Sequence, residues 1–294
     1  MSGFFMLYCM KKSFFSLLFI AFGYFASAQH SDSLTLVKAS WEKQKIAPKT
    51  MLITHHFDQK NLFLANQFIS YIELKRKGNA PLIAFGNEVK VKKKTSTFGK
   101  ELGAIAAING TFFDVANGGS VDFVKMNGVV VKQNVLGKNG QRARHQQTAI
   151  VINDHGKLAF KKWDNTPNWE NNLPEKDVML SGPLLLFNNL VEELDTTSFT
   201  KARHPRSAIG IKANGKVILL TVDGRQDNSA GLSLHELTKV MRWLGCVSAI
   251  NLDGGGSTTL WTEKMGVINY PSDNKKWDHD GERTVANVVI LKKK

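Results

Sequence analysis

Four apolar segments of this sequence run directly into polar, glycine-rich turns, and these turns carry the residues best suited to chemistry. A strand end holds polar groups on a rigid scaffold, and glycine lets the backbone approach a ligand closely. Each turn alone is an ordinary turn signal. Four of them in one chain, together with Arg203, His204 and Arg206, indicate a ligand site. The turns are Asn109–Asp114, Ser181–Pro183, Asp223–Arg225 and Asn251–Ser257.

The run Gly254–Gly256 predicts a backbone nest for an anion, because successive glycine N–H groups can point at one oxyanion. No Lys-Ser/Thr pair follows the run, so it is not a nucleotide phosphate loop, and it does not match the dinucleotide pattern G-x-G-x-x-G. A sugar phosphate stays compatible with it. Arg206 and Arg225 offer the forked contacts that phosphate favours, with surface charge or a structural ion pair as the alternative for each.

Five motifs follow one another along the chain and together resemble one known family. The resemblance is to the phosphodiester glycosidases, and it covers about residues 68–291. It implies a single α+β domain and hydrolysis of a sugar that is linked through its anomeric oxygen to a phosphodiester. Thr111 departs from the family's common Asn-Gly-Gly-Phe-Phe form, so the geometry of that turn stays open. The motifs are Ala106–Asp114, Ser181–Leu185, Arg203–Gly210, Val222–Arg225 and Asn251–Ser257.

Cleavage of the C1–O bond of such a substrate releases a phosphate monoester, whose second pKa of about 6 reduces the need for a general acid. The site must still neutralise phosphate, stabilise an oxocarbenium-like sugar and present a water or nucleophile on the opposite face. We expect Asp253 and Asp223 to be the catalytic carboxylates and His204 to be an acid or a phosphate ligand. Which aspartate is base or nucleophile, and the stereochemical outcome, stay open. The expected substrate-binding residues are Asn109, Asp114, Ser181, Gly182, Arg203, Arg206, Arg225, Asn251, Gly254, Gly255 and Ser257.

A metal site is a further possibility that the spacing does not favour. Asp114, Asp223 and Asp253 carry oxygen atoms of the kind that calcium or magnesium binds. No ligand spacing stands out among them, so we assign no metal and no cofactor. The pair His55-His56 lies on an expected strand, where neighbouring side chains point to opposite faces, and we interpret it as structural.

Composition limits the class of protein and of partner. The chain has 294 residues, of which 43% are hydrophobic and 22% charged, and these values exclude a wholly disordered, collagen-like or multi-span membrane protein. Two cysteines exclude a disulfide-rich scaffold. The net charge of +14 indicates an anionic partner, for which a phosphorylated carbohydrate is our expectation. Nucleic acid is not expected, because no binding motif and no aromatic interleaving accompany the lysine runs.

The first 28 residues match a secretory signal peptide. Lys11 and Lys12 precede a short apolar run over residues 14–22, and Ala26-Ser27-Ala28 supplies the small-x-small cleavage pattern. We expect export to the periplasm or the medium, with no stable membrane insertion after cleavage. An uncleaved N-terminal anchor is the alternative. Cleavage would remove Cys9 and leave Cys246, which we interpret as a small buried hydrophobe.

The rest of the chain predicts an α+β fold with a single domain around a large, twisted, mixed β-sheet on which helices pack. Residues 29–67 are expected to form an N-terminal leader and a first strand, with a short helix near 36–41, and residues 68–294 the glycosidase domain. Ser233 and Glu236 form a capping box for a helix that ends at Gly245, and a second helix is expected over 96–102. The expected strands are 68–74, 104–108, 148–152, 208–211, 217–222, 249–252 and 285–291.

The functional expectation is therefore an exported hydrolase that cleaves the glycosidic C–O bond of a sugar-1-phosphodiester. Two alternatives stay open. One is a metal-dependent phosphodiesterase that breaks the P–O bond. The other is a non-catalytic protein that binds anionic glycans.

Overall fold

The computed structural model of the chain describes residues 31–294, so the expected signal peptide lies outside the described residues. Within this range the strands are β1 (Glu42–Ala47), β2 (Thr50–Leu62), β3 (Ala65–Leu74), β4 (Leu82–Asn87), β5 (Lys93–Lys94), β6 (Ala104–Asn109), β7 (Val124–Met126), β8 (Val129–Lys132), β9 (Thr148–Ile152), β10 (Leu158–Lys162), β11 (Asp177–Leu180), β12 (Leu184–Phe187), β13 (Leu190–Val191), β14 (Arg206–Lys212), β15 (Val217–Val222), β16 (Cys246–Asn251), β17 (Leu260–Thr262), β18 (Gly266–Val267), β19 (Thr284–Val285) and β20 (Asn287–Lys292). Each of the seven strand segments expected from sequence overlaps one of these. The segment expected as a leader also contributes β1 and β2 to the fold.

The strands form three main sheets. The largest has the order β1-β2-β3-β15-β14-β16-β12-β13, and two five-stranded sheets have the orders β10-β9-β11-β7-β8 and β18-β17-β6-β20-β4. The strands β19 and β5 form a small separate pair.

Every strand pair among residues 31–294 is antiparallel, so the expectation of a mixed sheet is wrong. Parallel neighbours need long crossover connections, whereas many strands here are joined by tight turns. The predicted Asn214-Gly215 turn, for example, joins β14 to β15, and Gly215 has a φ of 77°.

Helices are few, and the chain is mostly β. The α-helices of the described range are α1 (31–38), α2 (Thr95–Glu101), α3 (Ser198–Lys201) and α4 (Leu234–Trp243). Short 3-10 helices lie at Lys138–Gly140, Arg144–Gln146, Trp169–Asn172 and Gly255–Ser257. The predicted capping box is present at α4, where Ser233 accepts from the Glu236 N–H and the Glu236 side chain accepts from the Ser233 N–H. The helix expected near 36–41 lies earlier, because the chain from 42 onward belongs to β1. No helix within the described range is long and apolar enough to cross a membrane.

The eight-stranded sheet is buried on both faces. Alternate residues of β15 enter two different cores, with Val217 and Leu219 on one face and Ile218 and Leu220 on the other. The first core draws side chains from all three main sheets, and the second includes the apolar side of α4. Cys246 is buried in the second core, as expected, and its burial raises the thiol pKa to about 12.

Candidate active site

Three strands of the large sheet bring the glycine-rich turns to one edge. In the register of the sheet, Arg206 at the start of β14 pairs with Val222 at the end of β15, and Ala208 pairs with Asn251 at the end of β16. The turns that follow β15 and β16 therefore lie side by side. The turn after β6 joins them, because the Asp253 N–H donates to the Gly110 carbonyl at 3.0 Å.

Asp253 is held rigidly and is partly exposed at this edge. Its carbonyl accepts from Asn109 Nδ2 at 2.7 Å, and its carboxylate Oδ1 accepts from the Gly254 N–H at 3.0 Å. Burial raises its pKa to about 6, although the Ser257 hydroxyl, the Gly254 N–H and the charge of Arg283 act in the opposite direction. At pH 7 the carboxylate is mostly ionised, which is the state that can attract a cation or take a proton.

Asn109, Asn251 and Ser181 brace this turn from inside the protein. Asn109 Oδ1 accepts from the Ser207 hydroxyl at 2.6 Å, so both ends of its amide have protein partners. Asn251 Nδ2 donates to the Gly182 carbonyl at 2.9 Å, and the Ser181 hydroxyl donates to the Asn251 carbonyl at 3.0 Å. The side chains of all three are fully buried. We therefore propose that they support the Asp253 turn, although Asn251 Oδ1 receives no hydrogen bond within residues 31–294.

Asp223 is a second buried carboxylate, but its oxygens face another segment. Oδ1 accepts from Asn269 Nδ2 at 2.7 Å, and Oδ2 accepts from the Tyr270 N–H at 2.8 Å. Burial raises its pKa to about 7 against the effect of these two bonds. The arrangement suits a residue that ties the 269–270 segment to the end of β15, and it makes Asp223 a positioning residue in our account.

The glycine run serves a different purpose from the nest that its sequence predicts. The Gly254 N–H donates to Asp253 and the Gly255 N–H donates to the Pro205 carbonyl, so both are already used within the protein. Glycine is needed in this run because neighbouring groups pack too closely against its backbone to leave room for a side chain. A Cβ at Gly254 would lie 2.7 Å from the Pro205 carbonyl oxygen, which leaves no room for a side chain there.

Two guanidinium groups occupy the space over the next two glycines. A Cβ at Gly255 would lie 3.0 Å from Arg225 Nη2, and a Cβ at Gly256 would lie 2.6 Å from Arg283 Nη2. Arg225 is exposed, and Arg283 is fixed by hydrogen bonds from its Nε and Nη2 to Asp273 Oδ1. Two guanidinium groups therefore flank the turn that carries Asp253, and the charge of Arg283 is paired with that of Asp273.

Arg206 and Arg203, which we expected to bind substrate, both form hydrogen bonds within the protein, and the Arg203 side chain is also partly exposed. Arg206 is 1% exposed, and it donates from Nε to the Leu232 carbonyl and from Nη2 to the carbonyls of Phe199 and Ala202. Arg203 forms an ion pair with Glu236 on α4. Because these donors are used within the protein, we propose a supporting role for both arginines. Burial lowers the pKa of Arg206 to about 10.

His204 and Asp114 are two further expected residues, and a third, Ser257, is fully buried beside Asp253. His204 lies in the site, with Nδ1 3.5 Å from Arg225 Nη2, and burial followed by the charges of Arg206 and Arg225 lowers its pKa. Asp114 belongs to a turn, since its Oδ1 accepts from the backbone N–H groups of Ala116 and Asn117, both at 2.9 Å. Hydrogen bonds from Asn117 lower the pKa of Asp114. We therefore revise its role from substrate contact to turn formation.

Sequence reasoning missed Asp122, His145 and Arg283, which the fold brings to the same edge. No local motif marks any of them. The one usable signal was Thr111, the departure from the common motif, because its hydroxyl donates to Asp122 Oδ2 at 2.8 Å. Among the described residues, no cluster of three or more His, Cys, Asp or Glu side chains is arranged to hold a metal ion.

Comparison with known proteins identifies the class to which this fold and site belong. The model of the phosphodiester glycosidase family matches residues 102–292, which is well over half of the chain. The chain belongs to this family, and the resemblance seen in its motifs is confirmed.

Curated relatives match over shorter stretches. An uncharacterized SPbeta prophage-derived protein of Bacillus subtilis, YomE, is 36% identical over 99 residues, which are 34% of this chain and 14% of that protein. The mouse N-acetylglucosamine-1-phosphodiester alpha-N-acetylglucosaminidase is 40% identical over 86 residues, which are 28% of this chain and 16% of that protein. The matches thus span about one seventh of the length of these relatives.

Solved structures share the fold over most of the chain. The zebrafish N-acetylglucosamine-1-phosphodiester alpha-N-acetylglucosaminidase catalytic domain, auto-inhibited by its pro-peptide, has a TM-score of 0.62 at 21% identity and covers 87% of this chain and 89% of that one. A Burkholderia pseudomallei structure that is named as a putative exported protein has a TM-score of 0.54 at 17% identity. The match covers 78% of this chain and 74% of that one. At these identities the likeness concerns the fold alone.

Proposed function

We propose that this chain is an exported hydrolase that cleaves the glycosidic C–O bond of a sugar-1-phosphodiester. The observation that carries the proposal is a partly exposed carboxylate, Asp253, on a turn flanked by the guanidinium groups of Arg225 and Arg283. This pairing suits a substrate with an anion next to a centre that becomes cationic. Family membership supports a sugar phosphodiester as the substrate class.

In this proposal Arg225 and Arg283 bind the phosphate. A guanidinium presents a planar fork to phosphate oxygens, and two of them neutralise the charge that grows on the leaving group. Glycines at 255 and 256 matter because any side chain there would displace one of the guanidinium groups. His204 lies beside Arg225 and adds a neutral hydrogen-bonding group to the site.

Asp253 acts on the sugar part of the substrate. As the C1–O bond lengthens, positive charge develops at the anomeric carbon, and an ionised carboxylate nearby stabilises that charge. A pKa of about 6 also suits a carboxylate that takes a proton from an attacking water near neutral pH. N-acetylglucosamine is the first sugar to test, since it is the sugar in the name of the mouse relative.

Turnover of a panel of sugar-1-phosphodiesters tests this function directly. The purified protein should release free sugar and a phosphate monoester from at least one member, with and without EDTA. Activity that EDTA abolishes and added metal restores would favour a metal-dependent phosphodiesterase. Saturable binding without turnover on every member would favour a protein that only binds anionic glycans.

Export is the part of the proposal that rests on sequence alone. The charged, apolar and Ala-Ser-Ala segments of the first 28 residues support it. N-terminal sequencing of the exported protein should begin at Gln29. A mature form that keeps the apolar segment would contradict cleavage.

A further inference from the structure

Asp122 is a buried carboxylate that the chemistry described so far does not use. Its side chain is fully buried, and Oδ2 accepts from the Thr111 hydroxyl at 2.8 Å. The other oxygen, Oδ1, lies 3.2 Å from His145 Nε2. Oδ1 receives no hydrogen bond within residues 31–294, so its contact with His145 is a close approach of the two groups and not a hydrogen bond. A buried carboxylate without a partner is costly, so the imidazole of His145 is its natural counterpart.

The Asp122–His145 pair belongs to the same edge as Asp253. The charge of Asp122 is close enough to Asp253 to contribute to its raised pKa. The backbone of His145 lies close to Gly182, where a Cβ would be 3.1 Å from the His145 Cα. The Gly182 carbonyl in turn accepts from Asn251, two residues before Asp253. Gly182 therefore contacts both the backbone of His145 and the strand end that leads to Asp253.

The side chain of His145 combines a fixed orientation with access to solvent. Its exposed fraction is 27%, and the ring of Phe112 packs against it at a centroid distance of 4.5 Å. With Nε2 facing Asp122, the second ring nitrogen, Nδ1, makes no hydrogen bond to any residue in the described range. A carboxylate beside one ring nitrogen orients the imidazole and selects which proton the other nitrogen presents.

We propose that His145, oriented by Asp122, is a catalytic residue that donates a proton to the departing phosphate. The proposal rests on the proposed function. When the C1–O bond breaks, its electron pair goes to the phosphate oxygen, which takes the Nδ1 proton of His145. Water adds to C1 and gives a proton to Asp253, and exchange with solvent restores both groups. Asp122 is a positioning residue that acts through His145.

Two variants and one control test the proposal by kinetics and by binding. The variants are His145→Gln and Asp122→Asn, and the control is His155→Gln, an exposed histidine in the turn between β9 and β10. The substrate is the sugar-1-phosphodiester that wild type cleaves best, and the binding probe is its non-hydrolysable C-glycosyl phosphonate. His145→Gln should lower kcat by about a hundredfold, the lower range for one acid–base group, with little change in the phosphonate Kd. Asp122→Asn should act in the same direction, and His155→Gln should match wild type.

The outcomes separate this inference from the function on which it rests. An active wild type whose His145→Gln variant keeps its kcat would overturn the role of His145 alone. A loss of activity matched by an equal weakening of phosphonate binding would also overturn it, because a structural role predicts that pattern. A wild type that cleaves no sugar-1-phosphodiester would overturn the proposed function and the inference together. Because His145 is partly exposed, its variant decides the matter even if Asp122→Asn unfolds.

Discussion

At the scale of single residues, Asp253 links the proposed activity to the stability of the protein. Asparagine keeps the size of the side chain and can still accept from the Gly254 N–H, but it has no charge and no basic oxygen. Asp253→Asn should therefore fold normally and lose at least about a hundredfold in kcat. Near-normal turnover in the folded variant would show that this carboxylate does not take part in the chemistry.

The same variant should alter the dependence of stability on pH. Burial raises the pKa of Asp253 from 3.8 to about 6, so the folded state holds this proton more tightly than the unfolded chain. The resulting stabilisation is fully present below pH 3.8 and is lost as the pH rises through about 6. Asp253→Asn cannot ionise, so its free energy of unfolding should exceed that of wild type by about 1–3 kcal/mol at pH 7.

Thermal melting at several pH values measures this difference. The gap in Tm between Asp253→Asn and wild type should shrink steadily from pH 7 to pH 4. Asp223 titrates in both proteins, so its contribution cancels in the comparison. A gap that does not change with pH would contradict the raised pKa.

The arginines divide into two groups with different expected effects. Arg225→Lys and Arg283→Lys should each lower kcat/KM by about 10- to 100-fold, because lysine keeps the charge and loses the fork. Arg206→Lys should mainly lower stability, by about 1–3 kcal/mol, since one ammonium nitrogen cannot occupy both the Nε and the Nη2 positions that reach the three carbonyls. Arg76→Lys, at the opposite end of β3, is the matched control. Kinetics and urea denaturation of the four variants test the division, and a catalytic loss in Arg76→Lys would undermine it.

How well single residues could be predicted depended on how local their signal was. Asp253 and Arg225 follow strands and adjoin glycines, so the sequence marks them. Asp122 and Arg283 lie in loops and His145 lies in a short 3-10 helix, and no motif marks them. They reach the site only through contacts between distant segments. The direction in which Arg206 points was not predictable, because a strand-end arginine can face either the cleft or the carbonyls behind it.

At the scale of elements, α4 depends on its capping box. The Ser233 hydroxyl accepts from the Glu236 N–H, and Glu236 also pairs with Arg203, so the start of the helix is tied to the strand that leads into the site. Ser233→Ala should lower the free energy of unfolding by about 0.5–2 kcal/mol. Urea denaturation measures it, with the exposed Ser198→Ala as the control. Equal effects of the two substitutions would argue against a role for the cap.

Strand positions were predictable and strand directions were not. Runs such as Val217–Val222 mark a strand that is covered on both faces, and the structure confirms that burial. A fully apolar strand has the same sequence pattern in parallel and antiparallel sheets, so the strand direction depends on the connections between strands. Here tight turns such as Asn214-Gly215 impose antiparallel pairing, and the few helices do not act as crossovers between parallel strands.

At the scale of the whole molecule, the fold is that of the phosphodiester glycosidase family, and the turns at one sheet edge carry the residues proposed for catalysis. The three sheets share one core, and the turns at one edge gather Asp253, the two arginines and the Asp122–His145 pair. The net charge of +14 favours approach of an anionic substrate. Whole-molecule charge, however, does not specify which sugar or which second alcohol the substrate carries.

The position of the broken bond tests the central claim most directly. Hydrolysis of a sugar-1-phosphodiester in 18O-labelled water, followed by mass spectrometry of both products, reports which atom water attacks. Cleavage of the C–O bond should place 18O at C1 of the released sugar and leave the phosphate monoester unlabelled. Label in the phosphate would mean cleavage of the P–O bond and would contradict the glycosidase account.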